Sequence, residues 1–357
     1  MQIYKSAAAA CAALALLVIS APSQAQYRLT NLVSNQVDQA PSTDPLLANA
    51  WGLARSATSP WWISDNDTGW STVYTATGTI ESLKVVIPTA GNGPTSPTGL
   101  NGPGTPTGIV NNGSKTDFLV QGEPASFIFA ALDGTISAWS GAVNKNLATL
   151  VVDNSANKAS YTGLAISSNP TGNHLYAADN ANNVIDMYDG TFTLVKSFGD
   201  PNVPSTLSVF GVQDINGMVY VAYAVPNVGA GGYIDVFQED GTFVKTLIKG
   251  DRLNQAWGMA LAPANFGPLS NTLLVSNNSL DGTINGFNPT TGEFVDTIRN
   301  GHGRKIILNN LWGIAFGGGN TTNGAANQLF VTVGPGGGTT NEFAGTFASI
   351  VFDPKCD

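Results

Sequence analysis

Oxygen-bearing side chains recur along this chain in short groups whose spacing suggests one shared role. Asp65, Asn66 and Asp67 form the first group and Asp133 stands in the second. Asp179 with Asn180, then Asn227, then Asn277 with Asn278, and finally Asn341 with Glu342 follow. Carboxylates and amides are hard donors. Brought together they would suit Ca²⁺, which takes about six to eight oxygens, better than Zn²⁺, which prefers His or Cys. Asp65, Asp179 and Asn277 are the expected ion ligands, and Asp65, Asp67, Asp133, Asp179, Asn180, Asn277 and Asn278 form the wider ligand-binding set. The same residue types also stabilise their own turns by bonding local backbone, and that alternative stays open.

Other chemistries find fewer residues. Only His174 and His302 are present, so a multi-histidine metal site has no donors. There is no Gly-x-Ser-x-Gly elbow, and the Gly-rich stretch from Gly334 to Gly338 lacks the lysine of a phosphate loop. His302 lies in a small basic cluster, Gly301 to Lys305, that could meet an acidic group. The net charge of -9 with 15 basic residues leaves no stripe to displace counterions from a nucleic acid. Nucleic acid is therefore excluded as a partner, and an anionic membrane surface is disfavoured.

The elements that must position these donors are legible from a repeat. Trp51-Gly52-Leu53-Ala54, Trp257-Gly258-Met259-Ala260 and Trp312-Gly313-Ile314-Ala315 are near copies, with looser versions around Gly108, Gly163 and Gly211. The six glycines step by 56, 55, 48, 47 and 55 residues, a period that signals a repeat architecture. Gly and Pro, with many Asn, Thr and Ser, interrupt short Val, Ile, Phe and Tyr runs, the pattern of short strands and tight turns. No stretch beyond the leader carries a clean helical period. Four strands fit each repeat, which predicts an all-β, six-bladed β-propeller with four-stranded blades. In the second repeat, Phe118 to Val120 and Phe127 to Ala130 compete for the second strand.

The motif glycine is expected where innermost strands converge and room is least. Trp51, Trp257 and Trp312 beside it are expected to pack between blades, or else to serve as a ligand platform. Asp-Gly pairs at 133–134, 189–190, 240–241 and 281–282 predict hairpins with glycine at positive φ. The last repeat is one strand short, and Tyr27 to Val33 alternates apolar and polar residues. It is expected to pair beside Phe347 to Phe352 and close the ring.

Residues 1–25 read as a cleaved signal peptide: Lys5, an apolar run from Ala7 to Ile19, then Ser23-Gln24-Ala25. Residues 26–357 form one domain, with Cys356 as its single cysteine, so no internal disulfide is available. The expected product is an exported monomer, periplasmic or extracellular, with no membrane span.

The Trp-Gly-apolar-Ala strands, the Ser64-Asp65-Asn66-Asp67 loop, the Leu132-Asp133-Gly134-Thr135-Ile136 run and the Leu311 to Phe316 run resemble an uncharacterised family of exported bacterial propellers, distantly NHL-repeat-like. That resemblance implies fold and export but no activity. Two function classes follow. One is a binding module that holds a protein, glycan or small molecule at the axial mouth. The other is a Ca²⁺-dependent hydrolase resembling gluconolactonase-type propellers, for which Glu123 and Glu342 are the available glutamates.

Overall fold

The computed structural model describes residues 26–90, 104–167, 172–226, 229–334 and 344–354. The expected leader, Asn227, Asn341, Glu342, residues 335–338 and Cys356 lie outside them. Blade I comprises Ala50–Ala54, Trp61–Asp65, Trp70–Tyr74 and Val85–Val86. Blade II is built from Pro106–Asn111, Phe127–Ala131, Thr135–Trp139 and Thr149–Asp153, and blade III from Tyr161–Ile166, Leu175–Asp179, Val184–Tyr188 and Leu194–Phe198. Ser208–Ile215, Met218–Ala224, Gly232–Gln238 and Phe243–Lys249 make blade IV. Ala256–Leu261, Leu273–Asn277, Ile284–Phe287 and Phe294–Thr297 make blade V. The protein is an all-β, six-bladed β-propeller.

Blade VI contains Leu311–Phe316, Leu329–Val333 and Thr346–Asp353, and its outer strand is Gln26–Ser34. The pairing is antiparallel, with Tyr27 opposite Phe352 and Val33 opposite Phe347, as the alternation of that segment leads one to expect. The ring therefore closes by pairing the two ends of the described chain, which leaves no unpaired third strand. In blade II the regular second strand is Phe127–Ala131. Leu119–Val120 instead pairs with Glu123–Pro124 in a small hairpin inserted before it.

Innermost strands touch in cyclic order, from Ala50–Ala54 through Pro106–Asn111 round to Leu311–Phe316 and back. The motif glycines explain how. A Cβ on Gly52 would lie 2.5 Å from the Thr107 carbonyl oxygen, and one on Gly258 would lie 2.7 Å from that of Trp312. Any side chain there would push neighbouring blades apart. Of the Asp-Gly pairs, Gly134 (φ 76°) and Gly241 (φ 78°) adopt the positive φ expected of a hairpin. Gly190 and Gly282 do not. At the first of these hairpins Phe192 takes the left-handed conformation (φ 63°), and the glycine is needed because a Cβ would strike Asp117.

The core is divided into wedges, one between each pair of neighbouring blades. Second and third strands are sandwiched on both faces, so Trp61–Asp65 and Trp70–Tyr74 are buried throughout, whereas the outer Leu194–Phe198 is mostly exposed. Trp61, fully buried, packs on Phe330 at 4.8 Å and thereby joins blade I to blade VI. Truncating such a ring to alanine leaves a cavity that costs about 3 to 5 kcal/mol.

Tyr27 fastens the closing strand to blade V. Its hydroxyl donates to the Phe266 carbonyl (2.7 Å) and accepts from the Leu269 amide (3.1 Å), and burial pushes its pKa up to about 12. Tyr27→Phe should strand both backbone groups and lower stability by about 1 to 3 kcal/mol in urea unfolding. An unchanged midpoint would show that the closing strand holds without this clasp.

Candidate functional site

The face on which the innermost strands begin, here the leading face, is closed by tryptophan. Trp51 and Trp312 stack with centroids 3.5 Å apart at 17°, and Trp257 meets both edge-on at 6.3 and 5.7 Å. All three are buried, with Phe210 and Leu132 packed against them. Because these residues come from five blades, their meeting place is the axis. Trp312 packs on the tryptophans of both neighbouring blades, and Trp51 and Trp257 meet as well, because the inner strands converge so closely that rings projecting from them touch. The Trp257 indole donates to the Thr162 carbonyl at 2.8 Å, while those of Trp51 and Trp312 have no partner among the described residues.

The oxygen donors of this face fasten blades and turns. Asp65, Asp179 and Asn277 end the second strands of blades I, III and V and are all buried. Asp179 accepts from the Ser160 amide (3.0 Å), the Asn182 amide (3.2 Å) and the Asn182 side chain (2.7 Å). Asn277 accepts from the Asn254 amide (3.0 Å) and donates to the Arg252 carbonyl (3.1 Å). The asparagines that follow reach forward to the next blade. Asn66 donates to the carbonyl of Pro106 (3.1 Å), Asn180 to that of Val209 (2.6 Å) and Asn278 to that of Leu311 (3.3 Å). Buried hydroxyls do the same, with Thr162 donating to Phe210 (2.8 Å), Ser276 to Trp312 (2.6 Å) and Thr332 to Trp51.

Asp67 accepts from the Asn49 side chain (3.0 Å), and Asp133 accepts from Thr135 Oγ1 (2.7 Å) and the Ala90 amide (2.7 Å). Among the described residues no group of three or more His, Cys, Asp or Glu is placed to hold a metal ion. With Asp179 and Asn277 engaged by protein donors, this set does not fit the oxygen cage that Ca²⁺ takes.

Asp65 differs from the others. It is fully buried, and no hydrogen bond of ordinary geometry reaches either carboxylate oxygen among the described residues. Burial drives its pKa well above the usual carboxylate range; nearby Thr72 opposes the shift and Asp44 adds to it. Folding therefore favours the protonated acid over the carboxylate that the unfolded chain carries above about pH 4.

The opposite, trailing face is open. Where the innermost strands end, a cavity of about 520 Å³ lies on the axis and is lined by residues of all six blades. The residue three places after each motif glycine lines it: Arg55, Asn111, Ile166, Asp214, Leu261 and Phe316. Inward of it, a 40 Å³ throat bounded by Gly52, Gly108, Gly258 and Gly313 leads to Trp257 of the leading-face cluster.

Arg55 and Asp214 belong to blades I and IV, three places apart in a ring of six, and both line this cavity. Arg55 Nε donates to the Phe316 carbonyl (3.0 Å) and Nη1 to that of Ser56 (3.2 Å), with the guanidinium 5.6 Å from the Trp61 ring. Burial lowers its pKa, yet an arginine stays cationic. The group is held in place with Nη2 still available.

Asp214 accepts from the Gly217 amide (3.3 Å) through one oxygen, while the other is buried without a partner. Burial raises its pKa to about 6, with the Gly217 bond opposing and the Glu239 charge adding to the shift. Sequence reasoning missed both residues. Aligning the repeats on the motif glycine would have shown a lone cation and a lone anion at one position, three repeats apart. His174 lies just before Leu175–Asp179, on the trailing side as expected, and His302 is exposed in its loop.

The raised pKa of Asp65 carries a pH signature. Its contribution to stability is full below the unfolded pKa and is lost as pH rises toward the folded value, by about 1.4 kcal/mol per pH unit. Asp65→Asn should gain stability relative to the natural chain as pH rises above about 4 in thermal melts. Parallel pH profiles would mean that the carboxyl ionises normally in the fold.

No family model matches the chain. Among solved structures it is similar to the gluconolactonase XC5397 of Xanthomonas campestris, with TM-score 0.57, 12% identity and 92% and 90% of the two chains covered. It is similar also to the soluble aldose sugar dehydrogenase of Escherichia coli, with TM-score 0.54, 11% identity and coverage of 92% and 100%. At these identities the likeness is one of fold alone. Three uncharacterised proteins of Acanthamoeba polyphaga mimivirus align by sequence. R640 is 32% identical over 206 residues, 53% of this chain, and the chain spans 38% of its length. L690 is 27% identical over 309 residues, covering 82% of this chain and 79% of itself. R648 is 30% identical over 309 residues, covering 81% of this chain and 73% of itself, and the chain belongs to the family of that protein.

Proposed function

We propose that the protein is a binding module whose ligand is a small molecule seated in the trailing-face axial cavity. The observation that carries this reading is that one axial cavity is lined by both the fixed guanidinium of Arg55 and the half-satisfied carboxyl of Asp214, together with Leu, Ile, Met and Phe side chains. Its volume of about 520 Å³ falls within the range of small-molecule sites. A carboxylate or other anionic end would meet Arg55, and a hydroxyl or ammonium end would meet Asp214. A molecule of that size and polarity is favoured over a protein or long glycan.

The proposal includes export of a monomeric, NHL-like propeller in a bacterial setting, on the strength of the leader-like residues 1–25 and the repeat pattern. The runner-up, a hydrolase of gluconolactonase type using Ca²⁺, needs an oxygen cage that the Asp65, Asp179 and Asn277 set does not supply.

Titration calorimetry with a panel of small hydroxy and amino carboxylates tests the binding reading. A ligand is expected whose affinity falls at least about tenfold in Arg55→Met and rises as pH climbs through about 6, where Asp214 ionises. Asp214→Asn should flatten that pH dependence. Absence of saturable binding, or binding indifferent to Arg55→Met, removes the proposal. For the hydrolase alternative, EDTA is expected to leave the melting curve unchanged; a drop restored by Ca²⁺ would revive it.

A further inference from the structure

A second cavity, of about 650 Å³, opens between blades I and II. Its floor is aromatic. Trp62 stacks on Phe127 with centroids 4.3 Å apart at 21°, and Trp139 tilts against Trp62 at 4.7 Å and 48°. The three rings are only 3%, 3% and 8% exposed. Trp62 thus packs against both of the other rings. Such rings attract a further π-system in edge-to-face or offset-stacked contact.

The rim is charged on both walls. Lys115 comes from the loop after the first strand of blade II, and Glu81 from the connection between the third and fourth strands of blade I; both line the cavity and are exposed. Neither forms an ion pair among the described residues. Asn111, which also lines the cleft, donates its amide to the Ser126 carbonyl at 2.8 Å, and its side-chain oxygen accepts no bond among the described residues. Two opposite charges that do not pair with each other, set over a cleft suited to a flat ring, specify a ligand that carries both signs.

We propose that this cleft is a second binding site that takes an aromatic zwitterion, its ring against Trp62, Phe127 and Trp139, its anionic group at Lys115 and its cationic group at Glu81. A free aromatic amino acid and a short peptide ending in one share this chemistry. The site differs from the axial cavity in its charged groups, which there are Arg55 and Asp214, although Asn111 lines both.

Calorimetric titration of the full-length chain with L-phenylalanine and glycyl-L-phenylalanine tests it, with phenylacetate, phenethylamine and cellobiose as comparisons. At least one zwitterion is expected to saturate, with the tighter of the two identifying the source. Phenylacetate and phenethylamine, each lacking one charge, should bind at least about tenfold more weakly. Lys115→Met and Glu81→Gln, both at exposed positions, should weaken the zwitterion to a similar degree. Ser126→Trp, which fills the cleft, should abolish binding. No saturation by either zwitterion, equal binding of cellobiose, or binding indifferent to Lys115→Met and Glu81→Gln would each overturn the proposal. Because Lys115→Met and Glu81→Gln alter only surface charge, they decide the matter even if Ser126→Trp does not fold.

Discussion

The molecule depends on how closely six innermost strands can approach one another. A Cβ on the motif glycine of one blade would collide with backbone of the next at Gly52, Gly108, Gly211 and Gly258, so the ring radius is set by the absence of a side chain. Every other feature follows from that radius. The wedges of apolar side chains between blades can fill without voids only at that spacing. Gln26–Ser34 can reach Thr346–Asp353 only if the circle has closed by the sixth blade.

The same tightness explains the polar chemistry of the leading face. Backbone carbonyls at the start of each inner strand are buried by the neighbouring blade and need donors. Asn66, Asn180, Asn278, Thr162, Ser276 and Thr332 supply them, each from the preceding blade. These side chains are committed to a neighbour's backbone, and the tryptophans that meet above the throat leave little space for a ligand. The leading face is thus built for assembly. Asp65 is the exception, an acid whose pKa is raised by burial although Thr72 opposes the shift.

The trailing face is freer because the strands splay after the glycines and their backbone demands fewer partners. Side-chain identity can then vary around the ring, from Arg55 through Ile166 and Asp214 to Phe316, without loosening it. The asymmetry of charge across the axis is a property of that freedom. It separates this mouth from the leading one, where the repeat holds residue types nearly constant.

By itself the sequence determined the number of blades, the four-strand pattern, the role of the motif glycine and the closing strand. These are carried by residues that recur at a fixed period or alternate locally, as in Tyr27 to Val33, and local patterns survive without knowledge of distant neighbours. The roles of Asn66 and Asn180 were not legible, because each amide bonds a carbonyl of the next blade, and an Asn in a turn looks the same whether it serves its turn, its neighbour or a ligand. Nor was the conformation at Gly190, where packing against Asp117 rather than turn geometry requires the glycine. Only the tertiary structure decided that Trp51, Trp257 and Trp312 meet at the axis, and that Arg55 and Asp214, 159 residues apart by subtraction of their numbers, share one cavity. The physical reason is that the direction of a side chain on an inner strand acquires meaning only once the ring has a radius and a hand.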